Sequence, residues 1–444
     1  MRRVIAILGI LTAAGCAARS SFDRVYVSKS IEARTGHALE PSLKPGETRL
    51  PPGVSLEDGL AEDEAVAVAL WNNPPFRTGL ADLSAARAGL IEAGLLPNPL
   101  VSFLHLFGVK GTEAYVLWPF DALWQRPKKV AAAKVDVERV AESLVQRGLN
   151  LSRDALVAYA NLFLAESVAK IAEDAAGLRG ETASIAAARL RAGDISGLDE
   201  LMVRADALRA REESLRASRD LETARARFAA VLGCSEPWPS FNLSPGPSPG
   251  AAEAALPALL EMAYTSRPDL RAAQLEIEAA GARLGWEKAR VVKLTATLES
   301  KEKGDAGFFT GPSGKLEIPL FNRNEGGRAR ARAEMERAAE NYVAVRQRIS
   351  LDVREALARL ESAQSGLALL RDQVVPAAAE TAARAKKAYA VGEESYLYAL
   401  EAESRLLDAR KREAEAAAEV RRADAELRCG LGFAPESSEK KQGR

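Results

Sequence analysis

Two periodicities run through this chain, and each occurs twice. Leu294, Ala296 and Leu298 alternate with Thr295, Thr297 and Glu299. Past a Gly-rich loop at 304–314, Leu316, Ile318 and Leu320 alternate with Lys315, Glu317 and Pro319. An apolar residue at every second position predicts two strands. Residues 100–109 and 112–120 hold the same place earlier in the chain, with poorer alternation because both faces are apolar. A long seven-residue repeat follows each strand pair. It runs through Val137, Leu144, Leu151, Ala158 and Ala165 in the first case, and through Tyr342, Ile349, Ala356, Ala363 and Leu370 in the second. That spacing predicts coiled-coil helices over 126–191 and 325–390. Pro376 predicts a kink in the second. After a Gly turn, each chain segment returns as a helix, 197–232 and 396–430.

The doubling is visible in the residues themselves. At an offset of about 199, Gly193-Asp194-Ile195-Ser196 falls on Gly392-Glu393-Glu394-Ser395, Ala210-Arg211 on Ala409-Arg410, and Val231-Leu232-Gly233 on Gly430-Leu431-Gly432. Trp118-Pro119-Phe120 falls on Ile318-Pro319-Leu320. Ordered blocks at a nearly constant offset mean duplication. The copies occupy 56–234 and 255–434, joined by a Pro/Gly-rich linker at 235–254. Each begins with two shorter helices. The first of these is expected over 56–71 with Ser55 as its N-cap, the second over 76–96; their counterparts lie at 256–265 and 268–291.

Lengths then constrain the architecture. At 1.5 Å per residue, each long helix spans roughly 100 Å, and each return helix roughly 53 Å. The helix before the strands adds roughly 32–36 Å, so a long helix packs beside a broken one, twice per chain. Strands of about 9–10 residues can cross a bilayer when tilted. Four of them leave two unpaired edges, and an unsatisfied backbone group in lipid costs several kcal/mol. The sheet must close with further copies of itself. Two chains give eight strands and hardly a bore, and three give twelve and a water-filled one.

Composition adds limits. In 444 residues, 61 Lys+Arg balance 61 Asp+Glu, so no long-range pull toward nucleic acid exists. Aromatics are 6%, and four of them (Trp118, Phe120, Trp124, Phe321) cluster where strands meet long helices. Phe308 and Phe309 fall in the opposite loop. Interfacial belts have this arrangement. No later apolar run reaches 18 residues, which excludes a helical membrane bundle.

The N-terminus reads as an address. Met1-Arg2-Arg3, an apolar stretch over 4–11 and Ala13-Ala14-Gly15-Cys16 make a secretory signal over 1–15. The small-small-Cys ending resembles a bacterial lipoprotein signal, with Cys16 as the acylated first residue of an extended arm over 16–55. Ala17 after the Cys, in place of Asp, resembles the pattern for outer-membrane delivery. The tail, 435–444, is polar and expected to be disordered.

Catalytic chemistry is missing from the sequence. Only His37 and His105 are present, and no nucleophile, phosphate-loop or metal-ligand motif occurs. The reading is of a non-enzyme without cofactor or metal site. Cys234 and Cys429 end equivalent helices and leave a disulfide open.

The signal, the doubled helix–strand–strand–long helix–Gly turn–helix order and the phrase Gly-x-x-Ser-x-Leu followed by Ala-Arg resemble the TolC-like outer membrane factors. The phrase is clearest at Tyr389-Ala390-Val391-Gly392-Glu393-Glu394-Ser395-Tyr396-Leu397. The resemblance implies a mainly α fold with a small β part. Duplicated coiled-coil hairpins and four transmembrane strands per chain would close as a homotrimer, a 12-stranded barrel on an α-helical barrel. It implies an outer-membrane channel of a Gram-negative-type bacterium, in contact with outer-membrane lipid, with a periplasmic adaptor and an inner-membrane transporter as partners. It places adaptor docking at the tip turns, Gly193 with Ser196 and Gly392 with Ser395. It makes Asp199 and Glu401 candidates for a pore constriction, although Tyr398 stands where another acid is common. The competing readings are a periplasmic adaptor and a coiled-coil scaffold lipoprotein. An adaptor needs a lipoyl-like module that is not visible, and a scaffold does not explain the strand pairs.

Overall fold

The computed structural model describes residues 18–39, 44, 46–55, 59–105, 111–234, 243–244, 246, 255–302, 307–391 and 393–432. The expected signal peptide with Cys16, Gly392, most of the linker and the tail lie outside them. The described residues form two compact units. One draws on the chain up to Ser28, on Thr78–Gln146 and on Pro268–Gln347, and the other on Lys29–Arg77, Arg147–Arg267 and the chain from Arg348.

The element order is doubled. The first series is α2 (Glu62–Asn72), α3 (Pro74–Gly94), β1 (Leu100–His105), β2 (Thr112–Pro119), α4 (Ala122–Ala192) and α5 (Gly197–Leu232). The second is α6 (Leu256–Ser266), α7 (Pro268–Ala289), β3 (Lys293–Glu302), β4 (Phe308–Glu317), α8 (Glu325–Leu369), α9 (Val375–Val391) and α10 (Tyr396–Gly430). Both return helices begin and end where the sequence pattern places them.

Three expectations need correction. The N-terminal segment, read as extended, carries a helix, α1 (Arg24–Thr35). Asp23 caps it by accepting from the Tyr26 amide at 3.0 Å, and Val27 and Ile31, one turn apart, are fully buried. All four prolines of that segment lie beyond it, so nothing stops the helix earlier. Next, α2 starts at Glu62 and not near Ser55. Its first turn is Glu62-Asp63-Glu64, and the Glu64 carboxylate accepts from the Ala61 amide at 2.9 Å. Three acids at a helix N-terminus outweigh one hydroxyl seven residues upstream. Finally, the Gly-rich stretch is strand. β4 runs through Gly311, Pro312, Ser313 and Gly314, each paired with β3. These residues carry almost no side-chain periodicity, and an edge strand accepts proline. Phe308 and Phe309 therefore open β4 and do not lie in a loop. The alternation at 318–320 is a turn instead, in which Leu320 N donates to Ile318 O across Pro319 at 2.9 Å.

The Pro376 expectation takes a definite form. Between α8 and α9 the helix widens to a single π turn, Leu370–Val374, and Val375 N donates to Leu370 O. Proline cannot donate to the carbonyl four residues back, and the wider turn makes room for its ring.

In the first unit, α7 is held to α4 by Arg271–Glu138 at 2.8 Å and Arg283–Asp136 at 3.4 Å. In the second, Tyr159 and Phe228 meet edge to face at 6.0 Å in a fully buried core with Leu60 and Leu232. Gly148 admits α1 there, because a Cβ at that position would lie 2.5 Å from Ile31 Cδ1. Leu243 bridges Leu60, and Ser244 N donates to Leu60 O at 3.0 Å, so these linker residues are tied to the buried Leu60. Arg421, 8% exposed, pairs with Glu62 at 3.4 Å and donates to Gly246 O at 2.9 Å. Burial raises the Glu62 carboxyl above its usual range despite that partner. Cys234 and Cys429 are buried thiols with different neighbours and form no disulfide: Cys234 Sγ points to Leu232 O and Cys429 Sγ to Asn150 Oδ1.

Candidate functional site

The sheet of the first unit is antiparallel in the order β1-β2-β3-β4, so the two halves of the chain join at β2–β3. Its register sorts side chains onto two faces, since directly paired residues share a face. One cross-strand row is Val101, Val116, Leu298 and Pro312. Phe103, Ala114, Trp118, Ala296, Leu294 and Leu316 lie on the same face, two or four positions along. The opposite face carries Glu113, Tyr115, Thr297, Glu299, Lys301 and Lys315, together with Leu100, Leu104 and Leu117 of the first strand pair. Polar partners meet across the strands on that face. Lys293 pairs with Glu317 at 3.0 Å, Ser313 donates to Glu299 at 3.1 Å, and the Lys301 ammonium sits 5.5 Å from the Tyr115 ring centroid.

The apolar face is uncovered in the single chain. Val101 is 68% exposed, Phe103 71% and Leu316 59%. β1 and β4 both present open edges. His105 is an exposed strand residue whose Nδ1 lies 3.0 Å from Thr112 Oγ1. At the strand–helix junction, Trp118 meets Phe120 edge to face at 5.8 Å, and the Trp118 and Trp124 indoles donate to the Pro97 and Ala289 carbonyls. Phe321 is fully in solvent.

The second unit contains the helical turns. Gly193 adopts φ +84°, a left-handed conformation suited to glycine. Its amide donates to Leu190 O at 3.0 Å and Asp194 N to Arg189 O at 2.9 Å, which ends α4. Ser196 Oγ then accepts from Asp199 N at 3.1 Å, while the Asp199 carboxylate accepts from Ser196 N at 3.2 Å and Oγ at 2.7 Å. This reciprocal capping box starts α5. Asp199 therefore has a local task, which the sequence reading did not foresee although Ser-x-x-Asp carries the signal. At the second turn, Ser395 Oγ accepts from Tyr398 N at 3.4 Å. A tyrosine at the third helical position cannot return the bond. Glu401 is exposed and accepts from Arg405, one turn on, at 2.6 Å.

Sequence reasoning missed how the two hairpins of this unit meet. Arg189 lies 5.8 Å from the Tyr389 ring centroid, with Nη1 3.4 Å from its hydroxyl. Tyr389 meets Tyr396 edge to face at 5.7 Å, and Arg179 donates to Ser404 at 3.0 Å. Burial, and next the charge of Asp206, push the Tyr396 phenol up to about 12. No periodicity marks these residues. Beside the turns, Leu198 is 67% exposed and Leu397 69%. Among the described residues no group of His, Cys, Asp and Glu could hold a metal ion.

Residues 259–432 match the family described as outer membrane efflux protein. The chain is similar to the cobalt-zinc-cadmium resistance protein CzcC of Cupriavidus metallidurans, at 24% identity over 80% of this chain and 85% of that one. It is also similar to the probable outer membrane lipoprotein SilC of Salmonella typhimurium, at 29% identity over 44% of each chain. The structure of the outer-membrane channel OprN superposes with a TM-score of 0.71 at 22% identity, covering 84% of this chain and 91% of that one. The second copy of the duplicated chain thus matches the outer membrane efflux protein family, and the fold is that of the outer-membrane channel OprN.

Proposed function

We propose that this protein is the outer-membrane duct of a tripartite efflux or type I secretion system. Three copies join β4 of one to β1 of the next and close a 12-stranded barrel over an α-helical tunnel. The observation that carries the reading is the two-faced sheet with two open edges. Its apolar face suits hydrocarbon, its charged face suits a water-filled bore, and neither edge can stay unpaired in lipid. An even strand number per copy keeps the shared barrel antiparallel throughout. The duct has no energy source of its own and passes cargo supplied by a periplasmic adaptor and an inner-membrane transporter. The turns at Gly193–Ser196 and Gly392–Ser395, with Leu198 and Leu397 beside them, are the adaptor-docking tip. The likeness to CzcC over most of both chains favours metal cations as cargo.

Glu401 and Asp199 are the proposed acids of the constriction, where threefold repetition would make rings of carboxylates that attract cations. Asp199 serves the capping box first, so Glu401 is the better test. Trimers purified from outer membranes should conduct in planar bilayers, and Glu401→Gln should weaken divalent-cation block several-fold. A conducting variant with unchanged block removes Glu401 from the aperture. A protein that is monomeric and does not conduct removes the duct itself.

The acylation of Cys16 is supported by geometry in the first unit. Ala18, two residues later, packs where a Cβ on Gly94 would lie 3.0 Å from its own Cβ. Gly94 ends α3 six residues before β1, and its carbonyl accepts from Arg126 Nε at 2.6 Å, near the aromatic junction. Ala18, two residues beyond the proposed anchor, is thus held close to the strand–helix junction. Acyl chains add about 0.8 kcal/mol per buried methylene. Cys16→Ser should abolish incorporation of labelled palmitate, and an equally labelled variant would exclude this anchor.

A further inference from the structure

We infer that the strand–helix junction of the first unit is a binding surface for anionic phospholipid headgroups. The inference rests on the reading that the sheet crosses a membrane. Three segments meet there: residues 120–132, 286–294 and 317–332. Backbone and side-chain bonds tie them together. Phe120 N donates to Leu294 O at 2.7 Å, Trp124 Nε1 to Ala289 O at 3.3 Å, and Asn324 Nδ2 to Glu287 O at 2.9 Å.

Charge in these segments is strongly one-sided, with ten Lys and Arg against four acids. Each acid is already engaged. Asp121 accepts from Gln125 at 2.8 Å, and Glu317 pairs with Lys293 at 3.0 Å. Glu287 pairs with Arg290 at 3.0 Å and accepts from Asn324 at 2.6 Å. Glu325 accepts from the Arg323 amide at 2.9 Å, and backbone hydrogen bonding, from its own amide first and then from Arg323, holds its carboxyl below the usual range. Arg290 also lies over the Trp286 ring, 4.8 Å from its centroid. Lys128, Lys129, Lys288, Arg323, Arg330 and Arg332 remain exposed, and none has an ion-pair partner among the described residues.

A whole protein with zero net charge therefore gathers uncompensated cations next to its tryptophans and uncovered apolar strands. Indoles sit at headgroup depth, and cations one or two helical turns beyond them stand where lipid phosphates lie. Each Lys or Arg near an anionic leaflet contributes independently, so several together discriminate anionic from zwitterionic lipid. A phosphate-bearing lipid satisfies both halves of the surface, its phosphate the cations and its acyl chains the apolar face. Free phosphate satisfies only one.

The test uses the full-length protein purified in detergent, with retained lipid measured by native mass spectrometry. Phosphatidylglycerol should be retained at least fivefold better than phosphatidylcholine. Glycerol phosphate should not compete, and 0.5 M salt should erase the preference. A Lys128→Gln/Lys129→Gln/Lys288→Gln/Arg323→Gln variant should bind both lipids equally while still running as the parent oligomer. Equal retention of the two lipids by the parent would overturn the inference, as would displacement by glycerol phosphate. So would a variant that keeps its lipid preference and instead alters the ion selectivity of the channel, because its cations would then face the bore. Conductance of the parent is read on the same samples. A conducting channel with no lipid preference sinks this inference alone, and loss of conduction sinks the duct.

Discussion

Leu298→Arg is expected to remove the protein from the outer membrane, whereas Ser313→Arg, one register step away, is expected to leave assembly intact. Both residues are exposed in the single chain and lie in adjacent cross-strand rows. They differ in face. Leu298 stands in the apolar row with Val101, Val116 and Pro312, and Ser313 stands opposite Thr297 on the polar face beside Glu299. An arginine facing lipid at mid-depth costs roughly 2–4 kcal/mol per strand position. Three copies of the substitution in one barrel would cost roughly 6–12 kcal/mol, comparable with the whole stability of a domain. On the polar face, which the proposed duct turns toward its bore, the same arginine would stay in water. The check is the amount of trimer in outer-membrane fractions. Equal amounts of the two variants would mean that the register does not divide lipid from water.

The comparison of these two residues also shows how far the sequence could be read. In the second strand pair, Leu294, Ala296 and Leu298 alternate cleanly with polar residues, and the strand was legible from them. Residues 311–314 were not, because glycine, proline and serine carry no hydrophobic period. The strand there exists because β3 offers a full row of backbone partners. The return helices were legible to the residue, since Ser196 and Ser395 mark their starts and Gly233 marks an end. The start of α2 was misplaced because a lone serine resembled a cap when three acids downstream made a better first turn. Cross-strand sorting of faces and the Arg189–Tyr389–Tyr396 contact depend on register and on helix rotation, which no single segment encodes. The role of Asp199 was legible in principle. Ser-x-x-Asp at a helix start is a capping signature, and family resemblance drew attention to the acid as a pore residue instead.

Gly233→Ala is expected to destabilise the protein severely, and Gly193→Ala only mildly, although both glycines are left-handed to nearly the same degree. Their φ values are +80° and +84°. The conformational penalty for a Cβ in this region is therefore the same in each, about 1 kcal/mol. The surroundings separate them. A Cβ on Gly193 would meet nothing within 4 Å. A Cβ on Gly233 would lie 2.4 Å from Asn72 O and 2.7 Å from Asn73 N, which are backbone atoms. That backbone cannot yield easily. Asn72 Nδ2 donates to Arg49 O and Val68 O, and its Oδ1 accepts from Arg49 N, at 2.8–2.9 Å. Asn73 donates to Val231 O and accepts from Phe76 N, both at 3.0 Å. A shift large enough to admit the methyl strains these five bonds, each worth about 1 kcal/mol net. Together with the conformational term, a loss of about 3–5 kcal/mol is expected, against about 1 kcal/mol at Gly193. Thermal unfolding of the purified proteins decides the matter, with the Gly233 variant melting well below the Gly193 variant. Equal melting temperatures would show that the end of α5 does not pack on the turn between α2 and α3 as tightly as these distances require.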